Sequence, residues 1–545
     1  MKYAVAGKDM KYIDSYTIEN AEVSSLVLME RAAQSVCDEL IKDCTNPREV
    51  QFIIVCGKGN NGADGIAVAR MLWRNELDVK VILLEMNEIV PDSEEELNIL
   101  NVTDEWKYQY REAKKLGVLF ECFAMGSIND YYRKTRKAAT VIVDAMVGAG
   151  LKSGLKKDAK AATEEINNLT DYTLKNVNQE PLKDNLFVYS VDLPSGAGYY
   201  PSVKTNKVVT FGCIKSELVL YPGSLSIINK KIKNEYITID SNIIIKNIGF
   251  LKESYLNVTT YGILEENDFH LLPKRNPWGN KGTFGKVFVA GGSDGMCGAA
   301  YFAAKAAYRT GAGLVKILTS KENSPVYQGL IPEAVLVIEN DNYTKLIADN
   351  IKNADITILG PGLSTDERAK ITVRVAMEAS KKYNKPLVID ADALNIISLE
   401  PGLKDYYHKK VIITPHLGEM SRLISKSTVE IRDNIISTAM AYANTNNIIV
   451  VLKDARSIIT DGKEVYINTY GNDGMAKGGS GDILTGIIAG IMGVYNNENN
   501  ISMTKLVAFA NMLHGMAGDN AALSMGKASI MAGDIIDSIG KVNKL

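Results

Sequence analysis

Short β-like runs alternate with helical patterns along the whole chain, and this alternation constrains the fold more than any other feature. In the first half the β-like runs lie at 51–56, 79–84, 140–144 and 187–192, with weaker runs at 208–211 and 236–240. In the second half they lie at 286–290, 314–319, 356–359, 387–390, 411–414 and 448–452, followed by a hairpin at 457–468. Strands that alternate with helices predict parallel sheets covered on both faces.

The chain is too long for a single hydrophobic core. At 545 residues, two or more domains are expected. The polar segment at 241–262 contains no glycine-loop motif, so we place the domain boundary near residue 250. The prediction is a two-domain α/β protein, with domains at residues 1–245 and 255–545.

Composition argues against several classes of function. Lys and Arg number 62 against 64 Asp and Glu, so no overall basic field favours nucleic acid. The six cysteines show no CxxC spacing, which argues against a zinc site or disulfide framework and for a reducing compartment. The opening MKYAVAGKDMKYID has no apolar core of a signal peptide, and no run approaches membrane-spanning length. We expect a cytoplasmic protein without nucleic-acid or membrane partners.

A glycine-rich stretch in the second half, GNDGMAKGGSGD at 471–482, runs directly into an apolar helical pattern. The unpaired N–H groups and the helix dipole at such a turn suit an anion. Asp482 would lie in the first helical turn, beside whatever phosphate the loop binds. A plain helix N-cap requires neither five glycines nor an adjacent acid. The stretch therefore predicts a site for phosphoryl chemistry.

The first half has its own glycine loop, GKGNNGADG at 57–65, between a strand and a helix that the pattern predicts at 64–75. Its glycines at 57, 59 and 62 form the G-x-G-x-x-G pattern, which alone indicates a dinucleotide-binding fingerprint. The loop also carries three oxygen-bearing side chains that the fingerprint does not require, namely Asn60, Asn61 and Asp64. These favour a hydroxyl-binding or cation-binding site.

Two further strand ends point to the same edge of the predicted sheet. Asp144 closes one β-like run and Asp192 closes the next, shortly before Ser195. Ligands of open α/β sheets gather outside the carboxyl ends of the strands, so Asn61, Asp144 and Ser195 could converge on one hard cation. The alternative is that each aspartate only caps a following helix.

The second half offers two weaker candidates. His416 follows a β-like run and a proline, and the chain contains only four histidines. The alternative for His416 is a partly exposed loop histidine. The segment KDARS at 453–457 joins two β-like runs and could place a cation and backbone donors against a nucleotide.

Together these motifs resemble the bifunctional NAD(P)H-hydrate repair enzymes, in which an epimerase domain precedes an ADP-dependent dehydratase domain. In the first half the resemblance rests on SLVLMERAA, GKGNNGADG, VDAMVGAG and DLPSG. In the second half it rests on NKGTFGKV, GPGL, DADALN, TPHLGEMSRL, GNDGMAKGGSGDILTG and HGMAGDNA. It covers nearly the whole chain and implies a Rossmann-like domain followed by a ribokinase-like domain.

For the first domain, the resemblance implies interconversion of the R and S forms of NADHX and NADPHX with bound K⁺. Asn61, Asp144 and Ser195 would hold the potassium ion, and Asp192 would have a catalytic role. The substrate-binding residues would be Asn60, Asn61, Gly62, Ala63, Asp64, Gly148, Ala149, Gly150, Leu151, Lys152, Ser153, Gly154 and Asp192. Ala63 stands where the family usually has glycine, and it would be strained by about 1 kcal/mol if that backbone had positive φ.

For the second domain, the resemblance implies dehydration of the S epimer to NAD(P)H with ADP and Mg²⁺. Ala299, Gly362, His416 and Asp482 would contact the substrate. Lys453, Asp454, Ala455, Arg456, Ser457 and Gly481 would contact the adenine nucleotide. Phosphorylation of the substrate hydroxyl would create a good leaving group, with Asp482 as the general base. The family resemblance also implies a homo-oligomer.

Three other interpretations stay open at this point. A small-molecule kinase of the ribokinase type, with a non-catalytic N-terminal binding domain, would leave a stable phosphate ester. An NAD-dependent oxidoreductase would bind NAD at the first glycine loop, although no hydride-site acid is evident. The N-terminal half could also be a scaffold without activity.

Overall fold

The computed structural model describes residues 1–86, 90–151, 153–175, 185–220, 226–228, 231–495 and 501–542. The chain forms two compact units. The N-terminal unit is Tyr3–Thr260, and the C-terminal unit is Tyr261–Leu545 together with Met1–Lys2. Both are α/β, which confirms the predicted fold class. No helix in the described ranges is long and apolar enough to cross a membrane.

The N-terminal unit alternates helices and strands as its sequence pattern predicts. In chain order its elements are β1 (Lys2–Val5), α1 (Met10–Ala21), α2 (Ser25–Asp43), β2 (Val50–Cys56), α3 (Asn60–Arg74), β3 (Asp78–Leu83), α4 (Glu94–Ile99), α5 (Asp104–Lys115), β4 (Phe120–Cys122), α6 (Ser127–Lys134), β5 (Ala139–Ala145), α7 (Lys157–Lys175), β6 (Leu186–Val191), β7 (Lys207–Phe211), β8 (Ile214–Lys215), α8 (Ser216–Val219), β9 (Ile232–Lys233), β10 (Thr238–Ile239) and β11 (Ile243–Lys246).

The main sheet of this unit is parallel throughout its described strands, in the order β11-β7-β6-β5-β2-β3-β4. Successive residues of β2 pack on opposite faces, because side chains alternate along a strand. Phe52 and Ile54 belong to the core on one face, and Ile53 and Val55 to the core on the other. Burial on both faces explains why the central strands are almost continuously apolar.

The strand order of this sheet reverses direction between β2 and β5. Such a switch point opens a crevice at the carboxyl ends of the strands. The first glycine loop follows β2, and the VGAG loop follows β5, so the fold brings both loops to this crevice.

The C-terminal unit continues the alternation and ends with long helices. Its elements are β12 (Thr260–Ile263), β13 (Lys286–Ala290), α9 (Cys297–Arg309), β14 (Leu314–Thr319), α10 (Ser324–Leu330), β15 (Val335–Ile338), α11 (Tyr343–Asn353), β16 (Ile356–Leu359), α12 (Glu367–Tyr383), β17 (Leu387–Ile389), α13 (Asp392–Leu399), β18 (Val411–Ile413), α14 (Leu417–Ile424), α15 (Thr428–Asp433), α16 (Ile435–Asn446), β19 (Ile449–Leu452), β20 (Ile458–Thr460), β21 (Val465–Ile467), α17 (Ser480–Tyr495), α18 (Met503–Met525) and α19 (Ala532–Val542).

Its sheet runs in the order β15-β14-β13-β16-β17-β18-β19-β20-β21-β12. The strands from β15 to β19 are parallel, and β19, β20 and β21 form antiparallel pairs. The hairpin between β20 and β21 turns at Gly462, whose φ is +91°. The sequence pattern predicted this hairpin because Asp-Gly favours a tight turn.

Helix α17 packs closely against α9 through small residues. A Cβ atom on Gly486 would lie 2.2 Å from the carbonyl oxygen of Ala303, and one on Gly490 would lie 2.7 Å from Cβ of Thr310. The apolar side chains of α17, including Ile483, are buried in the same core. This packing fixes the position of α17, whose first turn carries Asp482.

Candidate active sites

The first glycine loop contacts the loop that follows β5. A Cβ atom on Gly57 would lie 2.0 Å from the carbonyl oxygen of Met146, and one on Gly62 would lie 1.9 Å from the carbonyl oxygen of Gly57. The indole N–H of Trp106 donates to the same Gly57 oxygen at 2.9 Å. No side chain fits at positions 57 and 62, so these glycines let the two loops meet.

Helix α3 begins at Asn60, four residues earlier than the sequence pattern predicted. Ala63 therefore lies within the helix and is fully buried. Its φ is not positive. The alanine consequently does not carry the backbone strain that a left-handed conformation would impose.

A cavity of about 920 Å³ opens at this edge of the N-terminal unit. It is lined by α1, by the first glycine loop and by the loop that follows β5. The predicted site residues that line it are Asn60, Asn61, Asp64, Gly148, Ala149, Gly150, Leu151 and Asp192. Other predicted residues, namely Gly62, Ala63, Asp144, Ser153, Gly154 and Ser195, do not line it. Lys152 lies outside the described residues.

Asp144 lies directly behind the cavity and is completely buried. Its carboxyl group accepts hydrogen bonds from the Ser195 hydroxyl (2.5 Å) and amide (2.7 Å), the Ser190 hydroxyl (2.9 Å) and the Met146 amide (3.3 Å). Burial raises its pKa, and these neutral donors act in the opposite direction. Asp144 and Asp192 do not act as helix caps, because α7 begins only at Lys157 and no helix directly follows β6.

The amide group of Asn61 is incompletely bonded. Its buried Nδ2 has no hydrogen-bond partner in the described part of the chain. Its Oδ1 lies beside Gly148, where a Cβ atom would come within 3.1 Å. A buried N–H group without a partner needs an acceptor, which an oxygen of a bound ligand could supply. The fit to a hard cation rests instead on Asp144, which is buried among neutral donors only, and on the nearby oxygens of Asn61 and Ser195.

Asp192 has an unusual backbone conformation and a strong partner. Its φ is +63°, although it is not glycine. Its Oδ1 accepts from the Lys215 ammonium (2.5 Å), the Thr210 hydroxyl (3.1 Å) and the Phe211 amide (3.3 Å). Non-glycine residues in this region are concentrated at functional sites. The sequence pattern identified Asp192 but missed Lys215, because the ion pair joins residues 23 positions apart.

Two further aspartates of the same cavity have raised pKa values. Burial and the charge of Asp192 raise the pKa of Asp14 to about 6, against the opposite effect of Lys215. Burial and the charges of Asp192 and Asp14 raise the pKa of Asp64 well above its ordinary value. The cavity is also lined by Glu85 and Glu105 and by four lysines, namely Lys8, Lys11, Lys58 and Lys215.

In the C-terminal unit, the second glycine loop is fastened at both ends. Asp519 of α18 accepts from the Gly471 amide (2.9 Å) and from Nδ2 of Asn472 (2.8 Å). The hydroxyl of Ser480 lies 3.3 Å from Nε2 of His514, also on α18. The motif HGMAGDNA thus contributes the residues that hold the loop, a role that its sequence position did not reveal.

Asp482 lies in the first turn of α17, beside a buried ion pair. Nζ of Lys453 donates to Oδ1 of Asp390 at 2.9 Å. A Cβ atom on Gly481 would lie 3.4 Å from both Oδ2 of Asp390 and Nζ of Lys453. Burial and the charge of Asp390 raise the pKa of Asp482 to about 6, with Lys453 opposing. Asp390 was not among the predicted site residues.

His416 caps helix α14 and is about half exposed. Its Nδ1 accepts from the Gly418 amide at 2.9 Å, so the proton of the neutral ring lies on Nε2. Nε2 is 3.5 Å from Oε1 of Glu419. Burial raises the pKa of Glu419 to about 7, with Lys453 opposing. Since His416 pairs with Lys453 as an isolated parallel bridge, both lie at the same sheet edge.

The remaining predicted residues of this unit lie in two places. Ala299 and Gly362 are neighbours, since a Cβ atom on Gly362 would lie 2.9 Å from Cβ of Ala299. Asp454 accepts from Nε of Arg432 at 3.1 Å. Arg456 is close enough to Asp519 for their charges to interact, and Ala455 and Ser457 complete the link from β19 to β20.

No group of three or more His, Cys, Asp or Glu side chains that could hold a metal ion occurs within the described ranges. A divalent ion in the C-terminal unit would therefore depend on a bound phosphate for part of its coordination, as Mg²⁺ commonly does.

Comparisons with known proteins agree with this two-unit arrangement. Residues 287–541 match the family model described as NAD(P)H-hydrate dehydratase, and residues 25–217 match the model of the YjeF-related protein N-terminus. A bifunctional NAD(P)H-hydrate repair enzyme of Moorella thermoacetica is 32% identical over 98% of this chain and 95% of its own length. Its counterpart in Methanocaldococcus jannaschii is 32% identical, with coverages of 95% and 89%. A solved structure of an ADP/ATP-dependent NAD(P)H-hydrate dehydratase from Bacillus subtilis is also similar, with 26% sequence identity and a TM-score of 0.44. The match covers 52% of this chain and 97% of the Bacillus chain.

The fold and the two sites define a two-domain α/β enzyme with a Rossmann-like unit and a second α/β unit that matches the dehydratase family model. More specifically, the chain belongs to the family of bifunctional NAD(P)H-hydrate repair enzymes. This confirms the family expected from the motifs. The relatives combine both functions in one chain, so the alternative of a small-molecule kinase is not favoured.

Proposed function

We propose that this chain repairs hydrated nicotinamide nucleotides through both of its units. The N-terminal unit would interconvert the R and S epimers of NADHX and NADPHX. The C-terminal unit would dehydrate the S epimer with ADP, giving NAD(P)H, AMP and phosphate. The observation that carries the proposal is Asp482, which stands in the first turn of α17 between the glycine loop and the Lys453–Asp390 pair.

In the C-terminal unit, Asp482 would remove the proton from the 6-hydroxyl of the substrate. The hydroxyl oxygen then attacks the terminal phosphorus of ADP and AMP leaves. Loss of phosphate from C6 and of a proton from C5 completes the elimination. Hydroxide is a poor leaving group, whereas phosphate leaves readily, so the phosphoryl transfer is what makes dehydration possible.

Charge that develops during the transfer would be stabilised from two directions. The first-turn N–H groups of α17 suit a phosphoryl group at the positive end of the helix dipole. The ammonium of Lys453 lies beside the same turn, which supports a contact with phosphate in addition to its predicted contact with the nucleotide. Mg²⁺, bound together with ADP, would neutralise phosphate charge. Ala299, Gly362 and His416 would contact the substrate.

In the N-terminal unit, the cavity would hold the hydrated nucleotide. Asn60, the loop at 148–151 and Asp192 line it. Asn61, Asp144 and Ser195 would hold K⁺, which would balance the buried carboxylate and order the two loops. The burial of Asp144 among neutral donors supports this assignment.

The test is incubation of the full chain with mixed-epimer NADHX and ADP, followed through the absorbance of NADH. Complete conversion is the expected result, because both activities are then present. If conversion stops once the S epimer has been consumed, only the dehydratase is active, provided that spontaneous epimerisation is slow. A stable phosphate ester without NADH would instead indicate a kinase and contradict the proposal.

We extend the proposal to a cytoplasmic homo-oligomer. In the described part of the chain the cysteines are not joined in disulfide bonds, which supports a reducing compartment. Light scattering of the purified protein measures its oligomeric state directly, and a mass of one chain, 59.6 kDa, would contradict this part of the proposal.

A further inference from the structure

The cavity of the N-terminal unit contains a carboxyl group to which the family motifs assign no role. Asp14 projects from α1 and lines the same cavity as Asn60, Asp64 and Asp192. Burial and the charge of Asp192 raise its pKa and the charge of Lys215 lowers it, and no hydrogen bond from a described residue contributes. A carboxyl group that faces a ligand cavity without a fixed partner is available to exchange a proton with the ligand.

Asp192 is held very differently. Three groups donate to its Oδ1, namely the ammonium of Lys215, the hydroxyl of Thr210 and the amide of Phe211. Donors favour the charged form of a carboxyl group. The cavity therefore presents one carboxyl group that is held by three donors and a second that accepts from no donor among the described residues. Pairs of carboxyl groups in contrasting environments commonly divide the acid and base roles.

We propose that Asp14 is the proton donor of the epimerase reaction, acting together with the Asp192 carboxylate as proton acceptor. This inference rests on the proposed epimerase function and adds a second catalytic residue to it.

The chemistry of the substrate requires two such groups. C6 of the hydrated ring carries a hydroxyl group and is bonded to N1, so inversion can proceed by opening the ring. The hydroxyl proton passes to Asp192, the O–H electron pair forms the C6=O double bond, and the C6–N1 pair moves to N1. N1 takes its proton from Asp14. After rotation about C5–C6, closure on the other face reverses each transfer, so that both carboxyl groups recover their initial states.

The direction of the pKa shift suits this role. The pKa of Asp14 is raised to about 6, so more of it is protonated near neutral pH than of an ordinary aspartate. The charges of Asp192 and Lys215 act on Asp14, and Asp14 in turn acts on Asp64 of α3 and on Tyr255 of the segment packed on α1. The other charged groups that line the same cavity are Lys8, Lys11, Lys58, Glu85 and Glu105. Because a proton donor must be protonated, epimerase activity should fall as the pH rises above about 6.

The test compares Asp14→Asn with Glu19→Gln in the full chain. Glu19 lies on the same helix, is exposed and does not line the cavity. Conversion of R-NADHX is measured with ADP, and conversion of pure S-NADHX reports the dehydratase of the same molecules. For Asp14→Asn we expect the epimerase kcat to fall at least about 100-fold with KM changed less than about threefold, and the pH limb near 6 to disappear. Glu19→Gln should match the wild type.

An epimerase kcat within about threefold of wild type in Asp14→Asn would overturn the assignment. If Asp14→Asn loses its thermal unfolding transition, Asp14→Glu decides. Retained activity with a displaced pH limb supports the proposal, and complete loss in a folded protein overturns it. Absence of R-to-S conversion in the wild type itself would refute the epimerase function rather than the role of Asp14.

Discussion

The glycine loop before α3 and the glycine loop before α17 share an outline but differ in their surrounding charges. At the first loop, one cavity is lined by five carboxyl groups and four lysines, with Asp14, Asp64, Asp192 and Lys215 among them, and Asp144 is buried close by. At the second, Lys453 lies between Asp390 and Asp482. A buried carboxyl group with only neutral donors suits a cation, and carboxyl groups in contrasting environments suit proton transfer at oxygen and nitrogen. A buried lysine beside a helix N-terminus instead suits phosphate. The loop alone does not determine the chemistry, because the neighbouring charges do.

The substitution Asp482→Asn should separate the activities of the two units most strongly. An amide cannot accept the hydroxyl proton, so we expect dehydratase turnover to fall by about 10²- to 10⁴-fold while R-to-S conversion continues. Chiral separation of the remaining NADHX measures both rates in one experiment. Asp537→Asn, an exposed aspartate on α19 of the same unit, is the matched control and should keep full activity. Wild-type turnover in Asp482→Asn would remove Asp482 as the base.

A second large effect is expected on stability, and only in the C-terminal unit. Lys453→Met leaves Asp390, which is 2% exposed, as an unpaired buried charge. Breaking a buried pair from one side costs about 3–5 kcal/mol. Lys426→Met removes an exposed pair with Glu430 and should cost less than about 1 kcal/mol. Urea denaturation, followed separately for each unit, measures the loss in free energy of unfolding. Equal losses in Lys453→Met and Lys426→Met would contradict the role of the buried pair.

Removal of potassium should have the opposite selectivity, because it should lower the activity of the N-terminal unit and not that of the C-terminal unit. In a buffer with only a bulky organic cation, we expect epimerase activity to fall about 10- to 100-fold and to return on addition of K⁺. Asp144→Asn should lose this response, whereas Asp171→Asn, which alters an exposed ion pair with Lys204, should keep it. Isothermal titration with K⁺ provides a readout independent of turnover. Full epimerase activity without K⁺ would exclude the predicted cation site.

The smallest predicted effect is one of pH, and its sign differs between the units. As a base, Asp482 acts when deprotonated, so dehydratase kcat/KM should fall about tenfold per pH unit below its pKa of about 6. Epimerase activity should instead decline above about 6. The terminal phosphate of ADP also titrates near pH 6, as phosphate monoesters do. The pH dependence of the remaining dehydratase activity in Asp482→Asn therefore shows the contribution of ADP alone. If kcat/KM of this variant falls below pH 6 as it does in the wild type, the pH dependence comes from ADP and not from Asp482.

The local sequence pattern predicted the strands well, but it did not predict which side chains distant in sequence would pair. The strands at 286–290, 314–319 and 356–359 have the predicted bounds, because each is a short apolar run between clear breaks. The pair of Lys453 and Asp390 joins residues 63 positions apart, and nothing in their spacing indicates it. Asp14 was missed for a related reason, since the approach of α1 to the cavity depends on tertiary packing. The start of α3 was predicted too late because glycine and asparagine are poor helix formers, although α3 includes Asn60–Gly62.

The close packing of α17 on α9 limits which residues can be substituted on either helix. Gly486 lies four residues after Asp482, about 6 Å along the helix axis. Any side chain at position 486 would push α17 away from Ala303 and shift the Asp482 carboxyl with it. A displacement of about 1 Å is enough to cost a reaction about 100-fold. The surface of α9, which carries none of the proposed acid–base groups, thus sets the alignment of the base, and changes in its small residues should appear first as lost turnover rather than lost folding.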